Sequence, residues 1–258
     1  MAQYWNALVD CQPSRLRQVY GVAKSLLHGL FPTTCRLCLD PGQKPALDLC
    51  LGCERDLPRN APSCPVCAMP LPESAAFCGA CGGARRGFDC AFAPYRYEFP
   101  LIELIHLLKY SGEIATARIL GTLLGRRVAE RGRPAVDAVV PVPLFPSREA
   151  RRGYNQAREI AVFASAELRL PVMTRLARRV RDTAEQAKLP AAERRENLRD
   201  AFALRSPPPP RIAILDDVLT TGATAESLAR TLRAGCCRYI EIWAIARAAT
   251  PPAPIVPP

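Results

Sequence analysis

Apolar positions along this chain change their rhythm from one segment to the next. Up to residue 31, Trp5, Leu8, Val9, Leu16, Val19, Tyr20, Val22, Ala23, Leu26 and Leu27 recur at helical spacing, interrupted at Pro13, and predict a helical leader. From 32 to 87 long apolar runs give way to Pro and Gly. Beyond about residue 88 the pattern becomes that of a globular α/β domain. Ala91–Tyr97 reads as a strand. Leu101, Leu104, Ile105 and Leu108 mark a helix ending at Lys109-Tyr110, and a second helix runs roughly from Ala115 to Glu130. Asp137–Pro143 is a core strand, Asn155–Leu168 a helix, and Pro171–Met173 and Ala201–Leu204 short strands. Arg211-Ile212-Ala213-Ile214-Leu215 is the apolar run of a strand buried on both faces. Ala225, Leu228, Ala229 and Leu232 then return to helical spacing and close near Gly235.

The apolar-poor middle segment carries cysteines instead. Four Cys-x-x-Cys pairs, Cys35/Cys38, Cys50/Cys53, Cys64/Cys67 and Cys78/Cys81, are separated by 11, 10 and 10 residues. Each turn presents two thiolates to one metal, and two turns complete a tetrahedral sulfur site. The pattern predicts two structural zinc ions, saturated with thiolate. Sequential pairing puts Cys35, Cys38, Cys50 and Cys53 on one ion and Cys64, Cys67, Cys78 and Cys81 on the other; an interleaved pairing fits the spacing as well. Disulfides belong to oxidising compartments, and a redox motif would not need four copies. Metal supplies what the segment cannot bury, about 10–16 kcal/mol per site in zinc-finger peptides. Cys11, Cys90, Cys236 and Cys237 lack the spacing and are expected to pack as small apolar residues.

Composition narrows the partners. The 258 residues accommodate one α/β domain of about 150 residues and a small accessory unit. Hydrophobic content is 49%, yet no apolar run reaches the roughly 18 residues of a membrane span. The N-terminus shows no charged n-region followed by an apolar h-region, so the expected location is cytoplasmic. A net charge of +11 and a pI of about 9.3 favour phosphorylated metabolites, nucleic acid or an acidic membrane surface. A basic amphipathic leader is compatible with peripheral membrane contact, although such stripes more often pack on their own protein.

The candidate chemistry follows the buried run. Asp216-Asp217 precede Thr220-Thr221-Gly222-Ala223-Thr224, which opens the helix. A hydroxyl-bearing turn at a helix N-terminus holds a phosphate with free backbone N–H groups and the positive end of the helix dipole. Two acids beside that cradle repel a bare anion, so they need sugar hydroxyls or a magnesium ion. A ribose 5-phosphate unit satisfies both ends. The loop from Leu144 to Gly153 carries Arg148, Arg151 and Arg152, a cationic patch before Tyr154-Asn155-Gln156 opens the next helix. His106 is expected to pack and Lys109 to face solvent. Few apolar residues lie between Asp182 and Glu196, which predicts a mobile segment.

These residues resemble known motifs. Asp216 to Thr224 resembles the phosphoribosyl-pyrophosphate (PRPP) loop of type I phosphoribosyltransferases. The order of the whole chain is a multi-Cys-x-x-Cys ribbon, Lys-Tyr, V-P-V-P with R-R-G-Y-N-Q-A, T-x-x-Q-x-x-L with R-x-x-N-L-x-x-A-F, then L-D-D-V-x-T-T-G-A-T. It is similar to the ComF-type competence family from about residue 30 to 247. The resemblance implies a type I phosphoribosyltransferase fold, a mostly parallel sheet flanked by helices, behind an N-terminal zinc ribbon. It divides the chain into a leader (1–31), a double zinc-ribbon domain (32–87), a phosphoribosyltransferase-like domain (88–247) and a Pro-rich disordered tail (248–258). It implies PRPP, accompanied by Mg2+, held by Asp216, Asp217, Thr220, Thr221, Gly222, Ala223 and Thr224, with the two aspartates catalytic if transfer occurs. Arg148, Arg151 and Arg152 would form the pyrophosphate loop, and Thr183, Gln186, Arg194 and Asn197 a flexible covering loop. Phe145 departs from the histidine expected after V-P-V-P-L in many relatives. Implied partners are single-stranded DNA and competence-machinery proteins. The implied function is PRPP binding in natural transformation; the alternative is an active phosphoribosyltransferase acting on a nucleobase or amine.

Overall fold

A computed structural model describes residues 33–43, 47–73, 75–81, 86–181 and 201–249. The expectations for the leader with Cys11, for the covering loop with Thr183, Gln186, Arg194 and Asn197, and for the end of the tail lie outside these residues. The chain divides into two compact units, Met1–Arg55 and Asp56–Pro258.

In the first unit, a knuckle turns over Cys35 to Asp40 and a short helix α1 (Leu51–Arg55) carries Cys53. Cys35 N–H donates to Asp40 O at 2.7 Å, Leu39 N–H donates to Cys35 O at 3.0 Å, and Leu39 takes φ 69°. The second unit repeats this turn. Cys64 N–H donates to Met69 O at 2.8 Å, Ala68 N–H donates to Cys64 O at 2.8 Å, and Ala68 takes φ 56°. The bridges Thr34–Pro41 and Ser63–Pro70 close the two turns in the same way.

The rest of the second unit is an α/β body. Its elements are β1 (Cys90–Phe92), β2 (Tyr95–Arg96), α2 (Leu101–Tyr110), α3 (Ala115–Glu130), β3 (Ala138–Pro141), α4 (Pro146–Arg152), α5 (Gln156–Leu168), β4 (Ala177–Arg179), β5 (Phe202–Leu204), β6 (Arg211–Leu219), α6 (Ala223–Ala234) and β7 (Tyr239–Arg247). The main sheet has the order β1-β7-β6-β3, with β2 continuing the β1 edge against β7, and every pairing is parallel. The fold class implied by the sequence is observed. Ile212 to Leu215 of β6 and all four residues of β3 are buried, as parallel strands covered on both faces require.

Helices α3 and α5 meet at close range because α3 offers glycines. A Cβ on Gly121 would lie 2.5 Å from Ile160 O, and one on Gly125 would lie 2.8 Å from Ala164 O. Ala157, Ala161 and Ala164 complete the small-residue face.

Local chemistry explains where the elements differ from expectation. Pro94 has no N–H for the ladder, so the strand expected over Ala91–Tyr97 breaks into β1 and β2. Pro171 limits the expected strand Pro171–Met173 to a single parallel bridge from Val172 to Val139. The basic loop is a short helix, α4, with Pro146 in its first turn and Gly153 N–H closing it on Glu149 O at 2.7 Å. No strand is expected over residues 239–247, yet β7 lies inside the sheet between β1 and β6. Its buried Glu241 is matched by Arg131 Nη1 at 2.5 Å. The β4–β5 ribbon is antiparallel, with Ala177 opposite Leu204.

The topology sets the site. Pro141 of β3 lies opposite Leu215 of β6, so the chain leaves both strands at one edge of the sheet. Open α/β sheets hold ligands at such C-terminal strand ends.

Candidate functional site

Both cysteine clusters close. Cys35, Cys38, Cys50 and Cys53 form one group and Cys64, Cys67, Cys78 and Cys81 the other, with the sulfurs of each group within 4.8 Å of one another. The partition is the sequential one. Cys38 and Cys50 sulfurs stand 3.6 Å apart, and those of Cys67 and Cys78 stand 3.5 Å apart. Zinc–sulfur bonds of about 2.3 Å in a tetrahedron require sulfurs about 3.8 Å apart, so the donor sets fit two structural zinc ions. Of the other described cysteines, Cys237 is buried and Cys90 half-buried, but Cys236 is exposed, at a left-handed turn position with φ 75° after α6. The packing expectation therefore fails for Cys236.

Asp216 and Asp217 sit near the end of β6, partly accessible between the buried Leu215 and Val218. Each carboxylate is fixed by the backbone that follows it. Asp217 N–H donates to Asp216 Oδ1 at 2.9 Å, and Val218 N–H donates to Asp217 Oδ1 at 2.6 Å. Asp217 Oδ2 receives Lys109 Nζ at 2.9 Å. Burial and the neighbouring Asp217 carboxylate push Asp216 up to about 7, against the opposing pull of the Asp217 amide and Lys109. Burial alone would depress Lys109; the two carboxylates outweigh it and hold the ammonium above its usual range.

The turn after β6 exposes Thr220 and Thr221, while Gly222, Ala223 and Thr224 are half-buried. Gly222 takes φ 78°, a left-handed conformation that side chains disfavour, and this swings the chain into the first turn of α6. Ala223 N–H donates to Thr221 Oγ1 at 3.3 Å. The turn therefore presents hydroxyls at the positive end of a twelve-residue helix.

Beside the acids lies a pocket of about 300 Å³ lined by Lys109, Arg148, Arg151 and Arg152 with Tyr110 and Tyr154. The three arginines come from α4 and Lys109 from the last turn of α2. Residues after α4 anchor it. Tyr154 hydroxyl donates to Leu108 O, Asn155 Nδ2 donates to Val142 O at 3.0 Å, and Asn155 Oδ1 caps α5 through Arg158 N–H at 3.3 Å. Phe145 caps α4 through its carbonyl, which accepts from Arg148 and Glu149 N–H at 2.9 and 3.0 Å.

Structure and sequence part company at Lys109. Expected in solvent, its side chain is only 19% exposed and bridges the basic pocket and the acid pair. The only local signal is its position beside the buried Leu108 at the end of an amphipathic helix. His106 behaves as expected, with Nε2 3.1 Å from the Tyr97 hydroxyl and the ring edge-on to Tyr110. Arg247 carries no motif in the sequence, yet it is buried at the end of β7 and donates to Cys67 O, Leu219 O, Thr220 O and Ala248 O.

Among the described residues, no helix is long and apolar enough to cross a membrane. Comparison with known proteins adds further findings. Residues 26–82 match the family model of the double zinc ribbon domain. The chain is 34% identical over 208 residues to competence protein F of Haemophilus influenzae (strain ATCC 51907 / DSM 11121 / KW20 / Rd), covering 78% of this chain and 90% of that protein. It is 33% identical over 223 residues to the DNA utilization protein YhgH of Escherichia coli (strain K12), covering 84% of this chain and 97% of that protein. Against the DNA utilization protein YhgH of Salmonella typhi the identity is 32% over 221 residues, with coverage of 84% and 97%.

Proposed function

From the premise that the chain belongs to the family of competence protein F and the DNA utilization protein YhgH, we propose that it binds PRPP with magnesium and serves competence, the handling of incoming DNA. The relatives support the role in competence. The ligand reading rests on one observation, the 2.9 Å ion pair from Lys109 to Asp217 that joins a basic pocket to an acidic pair.

The parts of the ligand correspond to the parts of the site. Thr220, Thr221, Gly222, Ala223 and Thr224 take the 5-phosphate with hydroxyls and helix-start amides. Asp216 and Asp217 accept hydrogen bonds from the ribose hydroxyls. Lys109, Arg148, Arg151 and Arg152 neutralise the diphosphate, with guanidinium groups suited to forked contacts with phosphate oxygens. Magnesium, an oxygen-seeking cation, fits the acid pair as a donor set and offsets diphosphate charge when bound.

A second reading, phosphoribosyl transfer to a nucleobase or amine, draws on the same pocket. A cationic pocket beside the ribose-holding acids stabilises the negative charge that departs with diphosphate. Diphosphate release across a panel of bases and amines decides between them. Calorimetry with PRPP and magnesium tests the shared part. Binding is expected for the native chain and is lost in Asp216→Asn/Asp217→Asn with the fold intact. Equal affinity in the double variant overturns the assignment. The competence role is tested by single-stranded DNA titration across salt, where affinity that falls steeply with salt is expected.

A further inference from the structure

We propose that Arg247 is a positioning residue through which zinc at Cys64, Cys67, Cys78 and Cys81 sets the conformation of the Leu219–Gly222 turn. The phosphate role of that turn rests on the reading above; the coupling itself does not.

The geometry is that of a clamp. Arg247 ends the central strand β7 with 3% of its surface exposed. Its Nε donates to Cys67 O at 3.1 Å, inside the second metal knuckle. Its Nη1 donates to Leu219 O at 2.8 Å and to Thr220 O, the residues that carry β6 into the turn. A fourth acceptor, Ala248 O, lies 2.5 Å from Nη1. One planar group therefore holds the backbone of the knuckle and the backbone of the turn in a fixed relation. The rigid fork of a guanidinium can do this, and the single ammonium of lysine cannot.

Charge gives the clamp its dependence on metal. Among the described residues no carboxylate pairs with Arg247. A buried cation without a counter-ion is costly, and carbonyl dipoles offset only part of that cost. A zinc ion with four thiolates carries a net charge of about −2 and supplies the missing negative charge at the knuckle. A second contact closes the same region, since Gly87 N–H donates to Glu226 Oε1 of α6 at 2.8 Å. Loss of the ion removes both the counter-charge and the order of the loop that offers Cys67 O. The turn then loses one end of its clamp.

The test is amide hydrogen exchange on the full zinc-loaded chain, with Cys78→Ser and Arg247→Lys as variants. Metal content is measured on the same samples. Exchange over residues 218–223 is expected to accelerate about tenfold or more in both variants, while residues 115–130 of α3 keep their protection. Arg247→Lys should retain both zinc ions, which separates the clamp from metal binding itself. Unchanged exchange at 218–223 in Arg247→Lys overturns the proposal. So does loosening of α3 to the same extent, which would make Arg247 an ordinary core residue. If Cys78→Ser unfolds α3, the zinc-replete Arg247→Lys sample alone decides. A parallel titration with PRPP and magnesium should show affinity about tenfold weaker in both variants. Absence of PRPP binding in the native chain would sink the ligand reading and leave the exchange result to judge the clamp.

Discussion

Lys109 Nζ lies 2.9 Å from Asp217 Oδ2, with both side chains less than one-fifth exposed. This contact makes one site of two patches that would otherwise be separate, the basic pocket of α2 and α4 and the acidic end of β6. Lys109→Met leaves the Asp217 carboxyl beside Asp216 without its cationic partner. Removing one member of a mostly buried pair should destabilise the fold by about 1–3 kcal/mol, less than for a fully buried pair because water reaches both groups. Urea denaturation at neutral pH measures the loss. Unchanged stability would mean that the contact contributes nothing.

The acid pair makes stability depend on pH in a particular direction. Asp216 holds its proton up to about 7 in the fold, whereas an unfolded aspartate releases it near about 4. Between those values the folded chain binds more protons than the unfolded chain, so its contribution to stability falls as pH rises and levels off above about 7. Asp216→Asn should flatten this segment of the profile in thermal melts across pH. The opposite slope in the native chain would contradict the raised proton affinity of Asp216.

On the proposed ligand reading, the same titration governs binding. A cation or a diol prefers the ionised pair, so affinity for PRPP with magnesium should increase as pH rises through about 7. Calorimetry at about one pH unit on either side of that value reads the change directly.

Gly222 is a backbone requirement and not a packing one. A Cβ there would meet only Leu219 Cδ1 at 3.7 Å, an ordinary contact, while φ stays at 78°. Gly222→Ala should therefore cost about 1–2 kcal/mol from left-handed strain alone. Gly222→Asn should cost less, because asparagine tolerates that region. Equal losses in the two variants would point to a cause other than φ.

Metal stoichiometry tests the cysteine partition. The native chain should carry two zinc ions, one per cluster. Cys35→Ser with Cys53→Ser falls within one cluster and should leave one ion bound. Cys35→Ser with Cys64→Ser should remove both. Elemental analysis distinguishes this from interleaved ligation, in which the first double variant would also lose both ions.

Motifs written in neighbouring residues were legible in the sequence. The Cys-x-x-Cys knuckles form because a tight local turn brings two sulfurs together, and the same turn recurs at Cys35–Asp40 and Cys64–Met69. The apolar run of β6, the acids and the threonine-glycine turn likewise depend on a dozen consecutive residues. The short elements were less legible. Prolines at 94 and 171 interrupt strand pairing, and Pro146 starts a helix in what reads as a basic loop. Strand β7 is less legible because Glu241 interrupts its apolar pattern near the start and Arg247 ends it, and the burial of both depends on partners far away in the chain.

Sequence by itself determined the two cysteine clusters and the strand–turn–helix around Thr220–Thr224, because short-range backbone geometry is encoded in spacing. Tertiary structure alone decided which charges meet. Lys109 reaches Asp217 only because the last turn of α2 ends near the acids of β6, and Arg247 reaches Cys67, 180 residues earlier, only because β7 runs through the centre of the sheet. Such pairings leave no periodic trace. Whether a buried charge is tolerated depends on the counter-charges and dipoles that the whole fold gathers around it.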